Sequence, residues 1–225
     1  MTLKNDVPVH YDRFFALGEA AFKRHGMILE VPVRSAPLEY LRHLYRTEYP
    51  QGRVLDFGCG ARKPMQSMLG LNDALYHSCD NDPSGVFTYR RIEDIVPDAR
   101  YDIVAANQVF EHLSFQDGIK AAVRLGRHVA LGGVFQIGVP NPQHPTRYLS
   151  NPTHQTPWNY LNLCALLEMA GLEVILCARA NKYPKPKWWE MPWVNMMCRV
   201  FRIDWCDTVY AVGRLTARMT EPAIQ

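Results

Sequence analysis

Two acids and two glycines stand where a sequence can build a ligand site. The run Arg53-Val-Leu-Asp-Phe-Gly-Cys-Gly-Ala-Arg62 carries an apolar pair, Val54 and Leu55, into Asp56 and then turns on Gly58 and Gly60. A buried strand that ends in Gly-x-Gly lets backbone approach a ligand closely, because no Cβ stands in the way. No Gly-Lys-Ser/Thr follows, which excludes a P-loop, and Lys63 occupies the place of the third glycine of a dinucleotide fingerprint. A further acid, Asp80, lies roughly 20 residues beyond the turn, where a carboxylate can accept both hydroxyls of a ribose. A nucleoside ligand therefore fits better than a cofactor bearing a pyrophosphate.

Three histidines are candidates for proton transfer or substrate contact. His112 follows an apolar strand and adjoins Glu111; the same pair can equally cap and orient the next helix. His144 and His154 lie in residues 140–155, a long loop with prolines at 140, 142, 145 and 152. Stiff long loops of this kind serve as lids or binding walls. His154, just before a helix start at Thr156-Pro157, is the stronger general-base candidate, with a structural or substrate-contacting role as the alternative. The six cysteines form no Cys-x-x-Cys pair, so neither a zinc site nor a disulfide framework is expected, and no metal ligands are assigned.

These residues need elements to hold them. Helical spacing of Phe14, Gly18, Ala21 and Phe22 predicts a helix over 11–25; Ser35 and Pro37 start another, with Leu38, Leu41, Leu44 and Tyr45 as its stripe. Strands are expected at the glycine turn and at 75–79, 86–89, 101–106, 134–139, 172–178 and 208–215. Helices are expected at 63–69, after Ser114, and from Thr156 to Gly171. The alternation implies a largely parallel sheet with helices on both faces. Ligands bind at the carboxyl ends of such strands, which selects residues 58–63, 80–84, 107–113, 140–155 and 181–204. The 225 residues, 48% hydrophobic, suit one globular domain, and a net charge of +3 is too small and dispersed to indicate nucleic acid. No apolar run reaches the roughly 18 residues of a membrane span. Lys4, Asp6 and His10 leave no signal-peptide pattern, so a cytoplasmic protein is expected.

On these residues the chain resembles the class I S-adenosylmethionine-dependent methyltransferases, in their small-molecule branch. Val-Leu-Asp56-Phe-Gly58-Cys-Gly60 is similar to that family's first motif, and Asp80 falls at its ribose-binding acid. Tyr101-Asp-Ile-Val-Ala-Ala-Asn107-Gln108-Val-Phe-Glu111-His112-Leu is similar to its fourth-strand motif. Gly132-Gly133 and His154-Gln-Thr-Pro157 with Gly171-Leu-Glu-Val-Ile also match. Arg62 departs from the family, taking the place of a third glycine, and the acid that contacts adenine aligns poorly.

The resemblance implies an α/β fold: a Rossmann-like, seven-stranded, mostly parallel sheet whose last strand is antiparallel. It implies S-adenosylmethionine as cofactor. Asp56 would orient its methionine end, Gly58 and Gly60 give the close approach, and Asp80 with Asn81 hold the ribose. Ile92 and Glu93 would flank the adenine, and Asn107 or Gln108 would place the donor near the methyl. His154 and His112 are the catalytic candidates; His144 and Trp188 are the acceptor-contacting ones. Residues 1–50 are expected to be a helical segment packing on the sheet, and 51–225 the methyltransferase domain, with 140–155 and 181–204 as insertions at the substrate site.

The expected reaction is methyl transfer to oxygen or nitrogen of a small metabolite, such as a sugar or natural-product intermediate. A non-catalytic S-adenosylmethionine-binding subunit of a larger assembly is the alternative. An aminopropyl transferase would need an acidic pocket, whereas the long loops carry Arg147, Lys182, Lys185 and Lys187. A DNA amino-methyltransferase would show Asn/Asp-Pro-Pro-Tyr/Phe where Asn107-Gln108-Val-Phe110 stands. The basic, Trp-rich stretch around Trp188 and Trp189 suits a lid over an anionic group or contact with an anionic membrane surface. A helix over 193–202 packing on the core is the other reading of that stretch.

Overall fold

The third strand of the sheet, β3 (Tyr101–Asn107), reads Tyr-Asp-Ile-Val-Ala-Ala-Asn, and its residues 103–106 have no exposed surface. A strand apolar on both sides belongs in the middle of a parallel sheet covered on both faces, and that is where this one lies. In the computed structural model, which describes residues 8–181 and 187–217, it is flanked by β1 (Val54–Phe57) and β4 (Val129–Pro140). Beyond β1 lies β2 (Tyr76–Cys79); beyond β4 lie β6 (Thr208–Arg214) and then β5 (Glu173–Ala180). The order is β2-β1-β3-β4-β6-β5, with β6 antiparallel to both neighbours and the other pairings parallel.

Alternation along the strands divides the core in two. Leu55, Val104, Phe135 and Ile137 point to the face covered by α1 (Tyr11–His25), α4 (Phe115–Arg127) and α5 (Tyr160–Met169). Val54, Ile103, Ala105 and Val134 point to the other face. There Leu41, Leu44 and Tyr45 of α2 (Pro37–Thr47) and Met65 of α3 (Pro64–Leu69) cover them. The two N-terminal helices thus clothe opposite faces. The remaining helix, α6 (Met191–Phe201), buries Cys198 alone. Single 3₁₀ turns occupy Ile28–Glu30, Ile92–Asp94 and Phe110–His112. Among the described residues, no helix is long and apolar enough to cross a membrane.

Two expectations need correction. The sheet has six strands: residues 86–89 contribute only an isolated bridge between Tyr89 and Cys79. Tyr89 N–H donates to Ser78 O and Asp80 N–H to Tyr89 O. Thr88 instead trades bonds with Ser78 through side-chain hydroxyls, which takes the place of a ladder. The helix expected from Thr156-Pro157 starts at Tyr160, because Asn159 and Asn162 cap it reciprocally. Residues 154–158 instead form a strap tied to the turn after β3.

Candidate functional site

The carboxyl end of β1 is held by its acid. Asp56 is buried, and Tyr76 Oη donates to its Oδ2 at 2.6 Å across the β1–β2 pair. Burial pushes the Asp56 carboxyl up to about 7; the Tyr76 bond pulls the other way and the charge of Asp80 adds to the rise. Asp56 is therefore part of the floor of the site and is not in its wall.

The glycines that follow do different things. Gly58 has φ +72°, and a Cβ there would meet Val109 Cγ2 at 2.0 Å. The space a side chain would need is filled by the loop after β3, so Gly58 serves the meeting of two loops. Gly60, at φ +60°, has open space on its Cβ side, and its N–H donates to Asp80 Oδ2 at 2.7 Å. Asp80 Oδ1 accepts from Asp82 N–H at 2.9 Å. A carboxylate has about four acceptor sites, so each oxygen of Asp80 keeps capacity for a ligand hydroxyl.

These groups border a cleft of about 320 Å³ lined by Gly58, Asp80, Asn81, Gln108 and His112, with Arg90, Val109 and Leu113 among the other walls. A volume of roughly 300 to 1,000 Å³ is usual for a small-molecule site. Gln108 stands at φ +59°, a left-handed conformation uncommon outside glycine. Its N–H is fixed to Gly138 O at 2.8 Å. Arg90 donates to Asp82 O and Gly85 O, holding the loop that carries Asn81.

Several expected cofactor contacts lie off this cleft. Asn107 donates from Nδ2 to Gln136 Oε1 at 3.2 Å, inside the sheet. Ile92 is buried in its 3₁₀ turn, and Glu93 is ion-paired with Arg124 of α4. Neither Ile92 nor Glu93 is among the residues lining the cleft.

At the mouth of the cleft the strap brings together two histidines 42 positions apart. Gln155 N–H and Thr156 N–H donate to Glu111 O, Thr156 Oγ1 donates to Leu113 O, and Trp158 Nε1 donates to Phe110 O. The buried Trp158 rests against Gly118, where a Cβ would come within 2.4 Å of its ring. Held this way, His154 meets His112 at 5.0 Å between ring centroids. Glu111 lies beneath them, 1% exposed, and burial pushes its carboxyl up to about 8. His144 is not part of the cluster. It packs on Trp205 at 5.6 Å, its Nδ1 accepts from Thr146 and Arg147 N–H, and burial pushes its pKa down. Trp188 is 80% exposed and touches Trp189 and solvent. Lys182 and Lys185 lie outside the described residues.

A second hollow, about 380 Å³, lies under α6 between Leu29, Arg179, Val194 and Trp205. It is slightly larger, yet it lacks a glycine turn, and the carboxylate in its lining, Asp204, is ion-paired with Arg179.

Comparison with known proteins decides the family. The sequence matches the family model described as a methyltransferase domain over residues 33–176, more than half of the chain. The chain belongs to the methyltransferase family. Its fold is shared with a SAM-dependent methyltransferase from Archaeoglobus fulgidus at 18% identity and TM-score 0.56, covering 79% of this chain and 94% of that one. It is shared too with a chain of the complex between the Haloferax volcanii Trm112 methyltransferase activator and the putative methyltransferase (18%, 0.55, 92% and 91%). A putative methyltransferase from Bacillus halodurans is similar at 13%, 0.55, 80% and 99%. No curated protein matches the chain.

The methyltransferase is thus of the class I kind, and its cofactor is S-adenosylmethionine. The cleft fits that group: a carboxylate with unused acceptor sites stands beside a glycine turn whose Cβ side is open at Gly60. Three contacts went unseen in the sequence. Tyr76 binds Asp56, Val109 fills the space of Gly58, and Glu111 is buried under the histidine pair. The Glu111-His112 doublet is a visible signal, but only the strap reveals the partner 42 residues on.

Proposed function

We propose that this methyltransferase acts on an oxygen or nitrogen of a small metabolite. Asp80 and Asn81 hold the donor's ribose, Gly60 gives the close approach, and Gln108 sets the donor near the methyl. Bound S-adenosylmethionine supplies an activated sulfonium methyl, so the protein's task is alignment and, for a hydroxyl acceptor, proton removal. The observation that carries this reading is the pairing of His112 and His154 at the mouth of the cleft, with His112 in its wall. An imidazole at this mouth supports an acceptor that must lose a proton.

Calorimetry with S-adenosylhomocysteine tests the donor half. Asp80→Ala should weaken binding by roughly tenfold or more, the loss of one or two hydrogen bonds to a charged group. Equal binding by wild type and variant would sink it. Methyl transfer from labelled donor to a panel of sugars, phenols and amines tests the acceptor half.

A second reading concerns where the acceptor resides. On and beside α6, Trp193 is 69% exposed, Val200 68% and Phe201 60%, with Lys187, Arg199 and Arg202 alongside. A helix of this composition suits an amphiphilic acceptor presented at an anionic lipid surface. Co-sedimentation with phosphatidylglycerol vesicles supports that source, and equal recovery with and without vesicles excludes it.

A further inference from the structure

We propose that Glu111, His112 and His154 bind a divalent transition-metal ion at the mouth of the cleft. One ligand atom from each lies within 4.8 Å of the others. Metal–ligand bonds of about 2.0–2.2 Å put neighbouring ligands roughly 3 to 3.5 Å apart, so the side chains need close by roughly 1 to 2 Å at most.

The hydrogen-bond network aims electron pairs at the gap between them. His154 Nδ1 lies 2.7 Å from Tyr148 O; a carbonyl can only accept, so Nδ1 carries the hydrogen and Nε2 is left as a lone pair. His112 Nδ1 faces Thr153 Oγ1 at 3.0 Å and Thr153 O at 3.3 Å. Thr153 Oγ1 already donates to Asn151 Oδ1 at 2.9 Å, so towards His112 it too accepts. His112 is therefore protonated on Nδ1, and its bare Nε2 looks at Glu111 Oε1 from 3.9 Å. The other oxygen of Glu111, Oε2, is buried with no hydrogen-bond partner. His112 Nε2 and the buried carboxyl of Glu111 thus face each other beside His154, whose Nε2 keeps its lone pair.

Outer partners that fix the tautomer of ligating imidazoles are the usual mark of a metal site. Two nitrogens and one carboxylate suit zinc, cobalt, iron or manganese, with positions left open, better than oxygen-seeking magnesium. The role of the ion rests on the methyl-transfer reading of the cleft. Since His112 belongs to both cleft wall and cluster, the ion borders the acceptor's position and can polarise its oxygen. An ion there does by charge what a free His154 would do by taking a proton.

The test uses the full chain, stripped with EDTA and titrated with Co²⁺, followed by visible absorption and by metal analysis after dialysis. One ion per chain and a ligand-field band are expected, with affinity down roughly tenfold or more in Glu111→Gln and His154→Ala. Should Glu111→Gln not fold, His154→Ala carries the test from a half-exposed loop. A second cluster, His25 with Cys164 and Cys177, is also close enough to hold an ion, so Cys164→Ser is the control and should keep Co²⁺ uptake. The proposal is overturned if wild type takes up no Co²⁺, if Glu111→Gln and His154→Ala bind as wild type does, if Cys164→Ser abolishes uptake, or if Mg²⁺ competes on equal terms. S-adenosylhomocysteine calorimetry on the same samples separates this from the donor reading, which can fail while Co²⁺ still binds.

Discussion

The two ends of the functional edge are built in opposite ways. Around β1 and β3 every loop is tied to another: Gly60 to Asp80, Gly58 against Val109, and the strap onto residues 110–113. Around β5 and α6 the helix lies open, with Cys198 its single buried residue and Trp193 facing solvent. Below α6, Asp204 accepts from Asn141 and Arg179 in a buried network, so the base of this region is fixed while the helix above it is not packed. The donor is the same in every turnover and rewards a preformed site.

If that contrast is right, substitutions should cost stability in one region and hardly any in the other. The largest effect is expected for Trp158→Ala, which removes a fully buried indole and its hydrogen bond to the Phe110 carbonyl. It should cost about 3–5 kcal/mol in urea unfolding; a loss under about 1 kcal/mol would mean the strap is not part of the core. Gly58→Ala follows at about 2–4 kcal/mol, from the clash with Val109 added to its left-handed backbone. Gly60→Ala has only the backbone cost, about 1–2 kcal/mol. Similar losses for the two glycines would break the assignment of different jobs to them.

A subtler effect concerns pH. The folded Asp56 carboxyl titrates at about 7, against an ordinary value of 3.8. Between those values the folded chain holds the proton more tightly than the unfolded one. Its contribution to stability is therefore fully present below about pH 4 and is lost as pH rises towards 7 and beyond. Asp56→Asn keeps an acceptor for Tyr76 and should flatten the fall of Tm between pH 5 and pH 8; an unchanged slope would show that other groups set it. The smallest effect is expected on α6, where Trp193→Ser should change stability by less than about 0.5 kcal/mol. A loss several times larger would show that the helix is packed after all.

Much of this was legible because it is written in local pattern. The apolar run 103–106, the Gly-x-Gly turn and the stop at Gly171 follow from rules of backbone and burial that act over a few residues. Ser114, expected as the cap of α4, does accept from Asp117 N–H. The seventh strand failed because a run between Gly85 and a 3₁₀ turn can be bound by two hydroxyls in place of a ladder. Glu93 was set beside the adenine although that stretch aligns poorly with the family, and its ion pair with Arg124, 31 residues away, had no local signal. The contact of Gly58 was invisible for the same reason: Val109 arrives on the loop after β3. Local pattern indicates where a ligand edge lies, and tertiary partners decide which residues face it.

The strap has a consequence for motion. It hangs on a few long-range bonds, Gln155 and Thr156 N–H to Glu111 O foremost, and its loop from 141 to 157 contains no helix or strand of its own. Such a segment can open as a unit at less than the free energy of global unfolding. Opening it would part His154 from His112 while β1, β2 and the donor's carboxylate stay in place. Exchange of the Gln155 and Thr156 amides with solvent therefore times the assembly of the acceptor side separately from that of the donor side.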